Sequence, residues 1–255
     1  QTMRDEGVVF EEGSDAAKVS GAAGAITVET KDGRVIKGSH LLMAVGRKSN
    51  IDRLDLDKAG VETTKAGIKV DDSLRSSNRR VYAIGDVAGG LQFTHVAGYH
   101  AGVVIRSILF GLPSKTKLHH IPWVTYAAPE LAQVGLTEAQ AREEHGDKLE
   151  VVRFHYNHND RAIAERQTKG FIKIMVVKGR PVGASIVGHQ AGELITLWSL
   201  ALVNNMKMSQ IAAMVAPYPT ISEINKRAAG AYFSPRLFES ALVKAVVRAV
   251  QRLLP

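Results

Sequence analysis

The chain has 255 residues, 45% hydrophobic and 23% charged, which fits one or two globular domains and excludes a disordered or fibrous protein. It contains no cysteine, so these residues hold no disulfide, thiolate zinc site, iron–sulfur ligand or cysteine nucleophile. Lysine and arginine outnumber aspartate and glutamate by 33 to 25, a formal +8, but aromatics are only 6% and do not interleave with the basic residues, so no nucleic-acid partner is expected.

The opening residues, QTMRDEG, are polar and mixed in charge, unlike a signal peptide or membrane anchor, and no run approaches 18 uninterrupted apolar residues. A cytoplasmic protein is expected, at most peripheral to a membrane. The chain passes at once into Val8, Val9 and Phe10 without a cap, as the middle of a longer polypeptide would. Residues 25–38 (AITVETKDGRVIKG) alternate apolar and polar around Asp32-Gly33, a dipeptide that supplies the positive φ of a tight turn, and predict a β-hairpin. Residues 41–45 form a short apolar run ending at Gly46, the pattern of a strand buried on both faces. A polar stretch follows to Arg80, with a short strand at Ile68-Lys69-Val70. Residues 81–84 (VYAI) again predict a buried strand, which breaks at Gly85-Asp86 and Gly89-Gly90. From Thr94 to Phe110 the period is helical, and Gly111-Leu112-Pro113 stops it.

The pattern changes after Pro113. Strand-like runs at 121–126, 151–156, 171–177 and 182–187 alternate with turns, and helices are predicted over 137–145 and 192–203. That mixture predicts an α+β unit, an antiparallel sheet with helices on one side, distinct from the buried parallel strands before it and divided from them near residues 114–118. Residues 233–254 are helical in period, with Arg236, Lys244, Arg248 and Arg252 on an i, i+4 stripe. Six Lys or Arg against the single acid Glu239 give residues 226–255 a net +5, a face either solvated or laid on anionic lipid or an acidic partner.

Chemistry concentrates at residues 81–90 (VYAIGDVAGG) and the helix after them. A buried strand there delivers Gly85-Asp86 to its carboxyl end, where ligands bind in open α/β sheets. Gly85 lets backbone approach a ligand closely, Asp86 can accept hydrogen bonds from hydroxyls, and the free amides at the Thr94 helix start favour negative charge. The alternative is structural, Asp86 capping a turn and Thr94 capping a helix. His119 and His120 lack a second pair or carboxylate to complete a metal site, so no metal is expected.

In order along the chain, LLMAVGRKSN (41–50), LDKAG (56–60), VYAIGDVAGG (81–90), PELAQVGLTEAQ (129–140), GFIKIMVV (170–177), VGASIVGHQAGEL (182–194) and YPTISE (218–223) resemble the motif series of the pyridine nucleotide-disulfide oxidoreductases, which include dihydrolipoamide dehydrogenase and mercuric reductase. The resemblance covers about residues 7–229. It implies an FAD-dependent, NAD(P)H-linked homodimeric oxidoreductase in which hydride passes from nicotinamide to flavin and on to a disulfide or small-molecule acceptor. Residues 1–46 would end the NAD(P)-binding domain, 47–115 would return to the FAD domain, 116–232 would form the dimerisation domain, and 233–255 a basic amphipathic tail. The fold implied is an α/β remnant of nucleotide-binding domains followed by an α+β dimerisation domain with an antiparallel sheet and flanking helices. The family's GxGxxG fingerprints and redox cysteine pair are absent, so the chain resembles the C-terminal half of such an enzyme, inactive alone but dimerising.

On matched positions, Asp86 would bind the ribityl and pyrophosphate region of FAD with Gly85 giving it room, and Gln92, Thr94 and His95 would lie beside the flavin, His95 equally as an incidental side chain. Tyr218 stands where most members have histidine, and Glu223 would orient that group as acid/base across the dimer; otherwise Tyr218 is a buried interface aromatic and Glu223 a local partner. Tyrosine here is similar to mercuric reductases, but the C-terminal cysteine pair of those enzymes is missing. The other reading is a stand-alone dimerisation or interaction module without flavin, its tail contacting anionic membrane or partner surfaces.

Overall fold

A computed structural model describes residues 1–254. After a single turn of helix, α1 (Thr2–Asp5), the alternating segment forms the expected hairpin of β2 (Ala25–Thr30) and β3 (Val35–Gly38). Its turn is locked from within: Gly33 sits at φ +85°, its N–H donates to the Thr30 carbonyl at 3.0 Å, and Arg34 Nε donates to Asp32 at 2.8 Å. A further strand, β1 (Ala16–Ala22), pairs antiparallel with β2 to complete a three-stranded meander. Its sequence, AAKVSGA, has little β propensity and no alternation, and pairing to β2 fixes its conformation instead.

Two expected buried strands do not form. Residues 41–45 have no regular structure, and Leu42, Met43 and Val45 are 89%, 74% and 93% exposed. A strand buried on both faces needs neighbours on each side, and no described strand pairs with this run. Residues 81–84 are held by single contacts: Tyr82 bridges Arg75, and the Ala83 N–H donates to the Leu74 carbonyl at 3.1 Å. The strand expected at 68–70 is reduced to β5 (Gly67–Ile68), paired with β4 (Thr63–Thr64), with Val70 reaching only an isolated bridge to Ser76. Every strand pair among the described residues is antiparallel. Helix α2 (Thr94–Phe110) has the expected bounds, and Gly111 at φ +61° ends it in the left-handed conformation.

Beyond residue 118 the chain builds one five-stranded antiparallel sheet from β6 (Trp123–Thr125), β7 (Glu130–Gly135), β8 (Leu149–His155), β9 (Phe171–Val177) and β10 (Arg180–Gly188), ordered β6-β7-β10-β9-β8. Ile172, Ile174 and Val176 share one face of β9 with Ala184 and Ile186 of β10. Helices α5 (Ala191–Val203) and α7 (Glu223–Ala231) cover that face, burying Leu194, Ile195, Trp198 and Ile224, each large apolar side chain contributing about 1.5–3 kcal/mol. Trp198 Nε1 donates to Asn225 Oδ1 at 2.8 Å and ties α5 to α7 within this core.

The helices are not all on one side. Helix α3 (Glu138–His145) packs on β8, β9 and β10 from the opposite face, where Glu138 accepts from Lys173 at 2.9 Å and Arg153 at 3.3 Å. Those two side chains alternate with the apolar set along their strands, so the sheet is covered on both faces. Short helices α4 (Asp160–Ala164) and α6 (Met208–Ala212) complete the unit. The tail is two helices, α8 (Ser234–Phe238) and α9 (Ala241–Leu253), parted at Ser240, whose side chain caps Val243 N–H. The cationic stripe is therefore cut. Arg236 belongs to α8, packs on the Tyr232 ring and pairs with Glu150, leaving Lys244, Arg248 and Arg252 on α9.

Candidate functional site

Two clusters contain all the site residues expected from the sequence. The first forms where residues 81–84 end in a single 3-10 turn, Gly85–Ala88, packed against the start of α2. Gly85 has φ +68°, and a Cβ there would lie 2.9 Å from Ala97 Cβ, so only glycine lets the turn sit against the helix. Its N–H donates to Nδ1 of His100 at 3.1 Å. His100 is buried among Val96, Val103 and Val104, and burial pushes its pKa down, which keeps the neutral tautomer that this N–H requires. His100 was not among the expected site residues. Its spacing, four after Val96 and three before Val103, marks it as part of the buried face.

Asp86 presents an exposed carboxylate with no hydrogen bond to any described side chain or amide, whereas its carbonyl accepts from Gly89 N–H at 3.1 Å and Ser49 Oγ at 3.2 Å. The turn is therefore closed by backbone, and the carboxylate is left over. No side chain caps α2, whose N-cap is Phe93, so Thr94 does not cap it either. His95 lies flat on Phe93, ring centroids 5.2 Å apart, and its Nε2 bonds the Pro122 carbonyl at 2.8 Å. Gln92 offers its carbonyl to Arg47 at 3.2 Å. Arg47 and Ser49 were missed as site-building residues; the signal was present in the GRKSN stretch, where Ser49 also donates to the Ala66 carbonyl at 2.8 Å and stitches three loops together.

The second cluster lies on the unit built around the five-stranded sheet. Tyr218 is 68% exposed, and its hydroxyl donates to Asp160 Oδ2 at 2.9 Å. That hydrogen bond, and the charge of Asp160, raise the tyrosine's pKa above its ordinary value of 10.0. Glu223 is not hydrogen-bonded to Tyr218; it accepts from Arg227 at 2.9 Å, with its second oxygen buried and unpartnered. Tyr218 thus lies on the segment that leads into α7 and Glu223 opens that helix, but the partner of Tyr218 is Asp160 of α4. Asn159, fully buried, fixes that arrangement, capping Ala162 N–H with its carbonyl oxygen and donating to the Thr220 carbonyl at 3.1 Å. Among the described residues no group of three or more metal-ligating side chains occurs, and no helix is long and apolar enough to cross a membrane.

Two models of one family match successive parts of this chain. The family model for pyridine nucleotide-disulphide oxidoreductases matches residues 1–101, and that for their dimerisation domain matches residues 121–229. A dihydrolipoyl dehydrogenase of Bacillus subtilis is 36% identical over 208 residues, covering 80% of this chain and 44% of the relative. A mercuric reductase of Lysinibacillus sphaericus is 38% identical over 198 residues, covering 76% and 36%. Among solved structures, LpdA from Mycobacterium tuberculosis superposes with a TM-score of 0.84 at 26% identity over 90% of this chain and 50% of that one. The HOCl-induced flavoprotein disulfide reductase RclA from Escherichia coli superposes at 0.81, again at 26% identity, over 90% and 53%. The chain therefore spans less than half the length of these curated relatives. With both parts of its length matched by models of one family, the chain belongs to the pyridine nucleotide-disulphide oxidoreductases.

Proposed function

We propose that this chain supplies the flavin-facing carboxylate and the dimer-interface proton donor of an FAD-dependent, NAD(P)H-linked oxidoreductase that works as a homodimer. The observation that carries the reading is the Asp86 carboxylate, left unpaired in a turn whose own carbonyl accepts from Gly89 and Ser49, next to the uncapped start of α2. Those groups fit FAD: Asp86 would accept from ribityl hydroxyls, Gly85 keeps the turn clear, and the first amides of α2, near Gln92 and Thr94, would favour negative charge on the ring. His95 holds the helix start to Pro122 and acts by position. Bound FAD would supply a two-electron carrier between the nicotinamide hydride and the final acceptor. On the far side, Tyr218 would hold a proton for a disulfide or small-molecule acceptor in the other subunit, with Glu223 adding negative charge nearby. Residues 1–46 and 47–115 would then serve the NAD(P) and FAD domains, and 116–232 the dimer interface.

Purification of the complete gene product with and without Asp86→Ala tests this. The unaltered protein is expected to carry the visible absorbance of flavin, and the variant to lose most of it while keeping its far-ultraviolet dichroism. A colourless parent would favour the module without flavin, and a variant that retains all its flavin would remove Asp86 from the cofactor site.

The tail has a separate role in this reading, as a weak contact with anionic membrane. Helix α9 buries none of its residues, and it sets Leu242, Val246, Val250 and Leu253 against Lys244, Arg248 and Arg252 with no acid. Binding of the chain to phosphatidylserine-containing vesicles is expected at low salt and is expected to fall away at high salt. Equal binding to neutral vesicles would remove the electrostatic part of this role.

A further inference from the structure

A cavity of about 370 Å³ lies between α2, residues 114–120 and the end of α5, apart from both clusters described above. Its charged lining consists of Arg106, Lys115, Lys117 and His120, and no carboxylate lines it. Neither Arg106 nor Lys117 has a salt-bridge partner among the described residues, and Lys115 is only loosely paired, 3.7 Å from Asp72. His120 Nδ1 is buried and has no hydrogen-bond partner. Three cations and an imidazole thus line one cavity with no carboxylate among them, and like charges held together without a counter-charge favour an anion between them.

The walls are fixed by bonds that leave the charged groups free. Thr116 N–H donates to the Asp72 carbonyl at 2.8 Å, Lys117 N–H to Tyr99 Oη at 2.8 Å, and Ser199 Oγ to the His120 carbonyl at 2.6 Å. The Tyr99 hydroxyl, accepting from Lys117, keeps its own proton to give. Gly98 and Gly102 of α2 form one wall, and a Cβ at either would meet nothing within 4 Å, so the volume over the helix is open. Guanidinium, two ammonium groups, a phenol and an imidazole are together all donors and carry a local excess of positive charge. The group they match is a multivalent oxyanion with several acceptor oxygens. The volume is that of a small-molecule pocket, too confined for a nucleic-acid track.

We infer that this cavity is a binding site for phosphate, either free as inorganic phosphate or pyrophosphate or carried by a small phosphorylated molecule. Burial and the neighbouring His119 and Lys117 lower the His120 pKa, so the ring enters as a neutral donor.

Calorimetric titration of the chain with inorganic phosphate, pyrophosphate and adenosine monophosphate, at physiological chloride, tests this and separates the sources. Saturable one-to-one binding of at least one of them is expected, together with a shift of the His120 ring resonance on titration. The double substitution Arg106→Gln, Lys117→Gln should weaken binding at least about tenfold. Gly102→Asp, which projects a carboxylate into open space, should abolish it. Lys244→Gln with Arg248→Gln on α9 should leave it unchanged. The site is refuted if none of the three anions binds the unaltered chain, if the His120 resonance stays still, or if the tail variant loses as much affinity as the cavity variant. Binding of an RNA oligonucleotide alone would also overturn it.

Discussion

Single atoms decide what Tyr218 can do. A histidine at this position, with a pKa near ~6.5, exchanges protons at neutral pH, whereas a phenol starts at about 10 and here is pushed higher by the carboxylate of Asp160 that its hydroxyl bonds. Tyr218 therefore stays protonated throughout the physiological range, as the proposed role of donor requires. In the complete gene product, if it is the proposed flavoenzyme, Tyr218→Phe is expected to keep the flavin and lower turnover of the acceptor by roughly 10²–10⁴. Tyr218→His should bring the alkaline limb of the pH–rate profile down from above 10 toward about 6.5, and Asp160→Asn should lower it by a smaller step. Unchanged turnover and an unchanged limb in Tyr218→Phe would leave the hydroxyl without a chemical role. The Tyr218 substitution itself is legible in the sequence, but its partner is not. Asp160 lies 58 residues earlier, and only the packing of buried Asn159 against the Thr220 carbonyl brings it within reach. Gly85 shows the converse: a ligand-side reason for glycine was readable, yet in the fold its missing Cβ makes room for Ala97.

Elements whose residues carry their own signals match the sequence closely. Helix α2 has its period and its Gly111 stop, the hairpin its Asp32-Gly33 turn, and β9 its apolar run, and each lies within a residue or two of its expected bounds. Residues 41–45 and 81–84 fail for one physical reason, since a central strand exists only through its neighbours and apolarity says nothing of whether they are present. The position of α3 was illegible for a related reason. Its side of the sheet is set by Lys173 and Arg153 on the outer face, and Glu138 draws them together with Arg142. Lys173, foremost, and the two arginines lower the Glu138 pKa from 4.5 to about 2. A depressed carboxylate contributes stability that is present above its unfolded value and is lost as pH falls through the folded one. Glu138→Gln is thus expected to cost about 1–2 kcal/mol near neutrality, discounted for partial exposure of the site, with the difference from the parent shrinking below pH 4.5 and vanishing toward pH 2. Urea unfolding of both chains across that range measures it. A cost that does not change with pH would mean that α3 is held by its capping box, Thr137 with Gln140, and by buried Ala141.

At the scale of the molecule, stability is unevenly distributed. One core spans the sheet, α5 and α7, whereas residues 50–104 hold two small clusters, around Val61, Ile68 and Ala83 and around Leu74, Val103 and Val104, and the meander of β1 to β3 buries only Thr30. Amide exchange should reproduce that gradient, because a segment opens at a free energy set by what it buries. β9, β10 and α5 should exchange only through global opening, and residues 16–38 through cheap local opening, so that unfolding of the whole chain is not a single two-state event. The proposed homodimer would add a second signature. A partner that binds only the folded unit stabilises it by mass action, so protection across residues 121–232 should rise with chain concentration while that of residues 16–38 stays flat. Sedimentation at micromolar concentration should give the dimer directly. Equal protection of β2 and β9 would contradict the division of the core, and concentration-independent protection with a monomer in sedimentation would contradict the dimer, so the two claims fail separately.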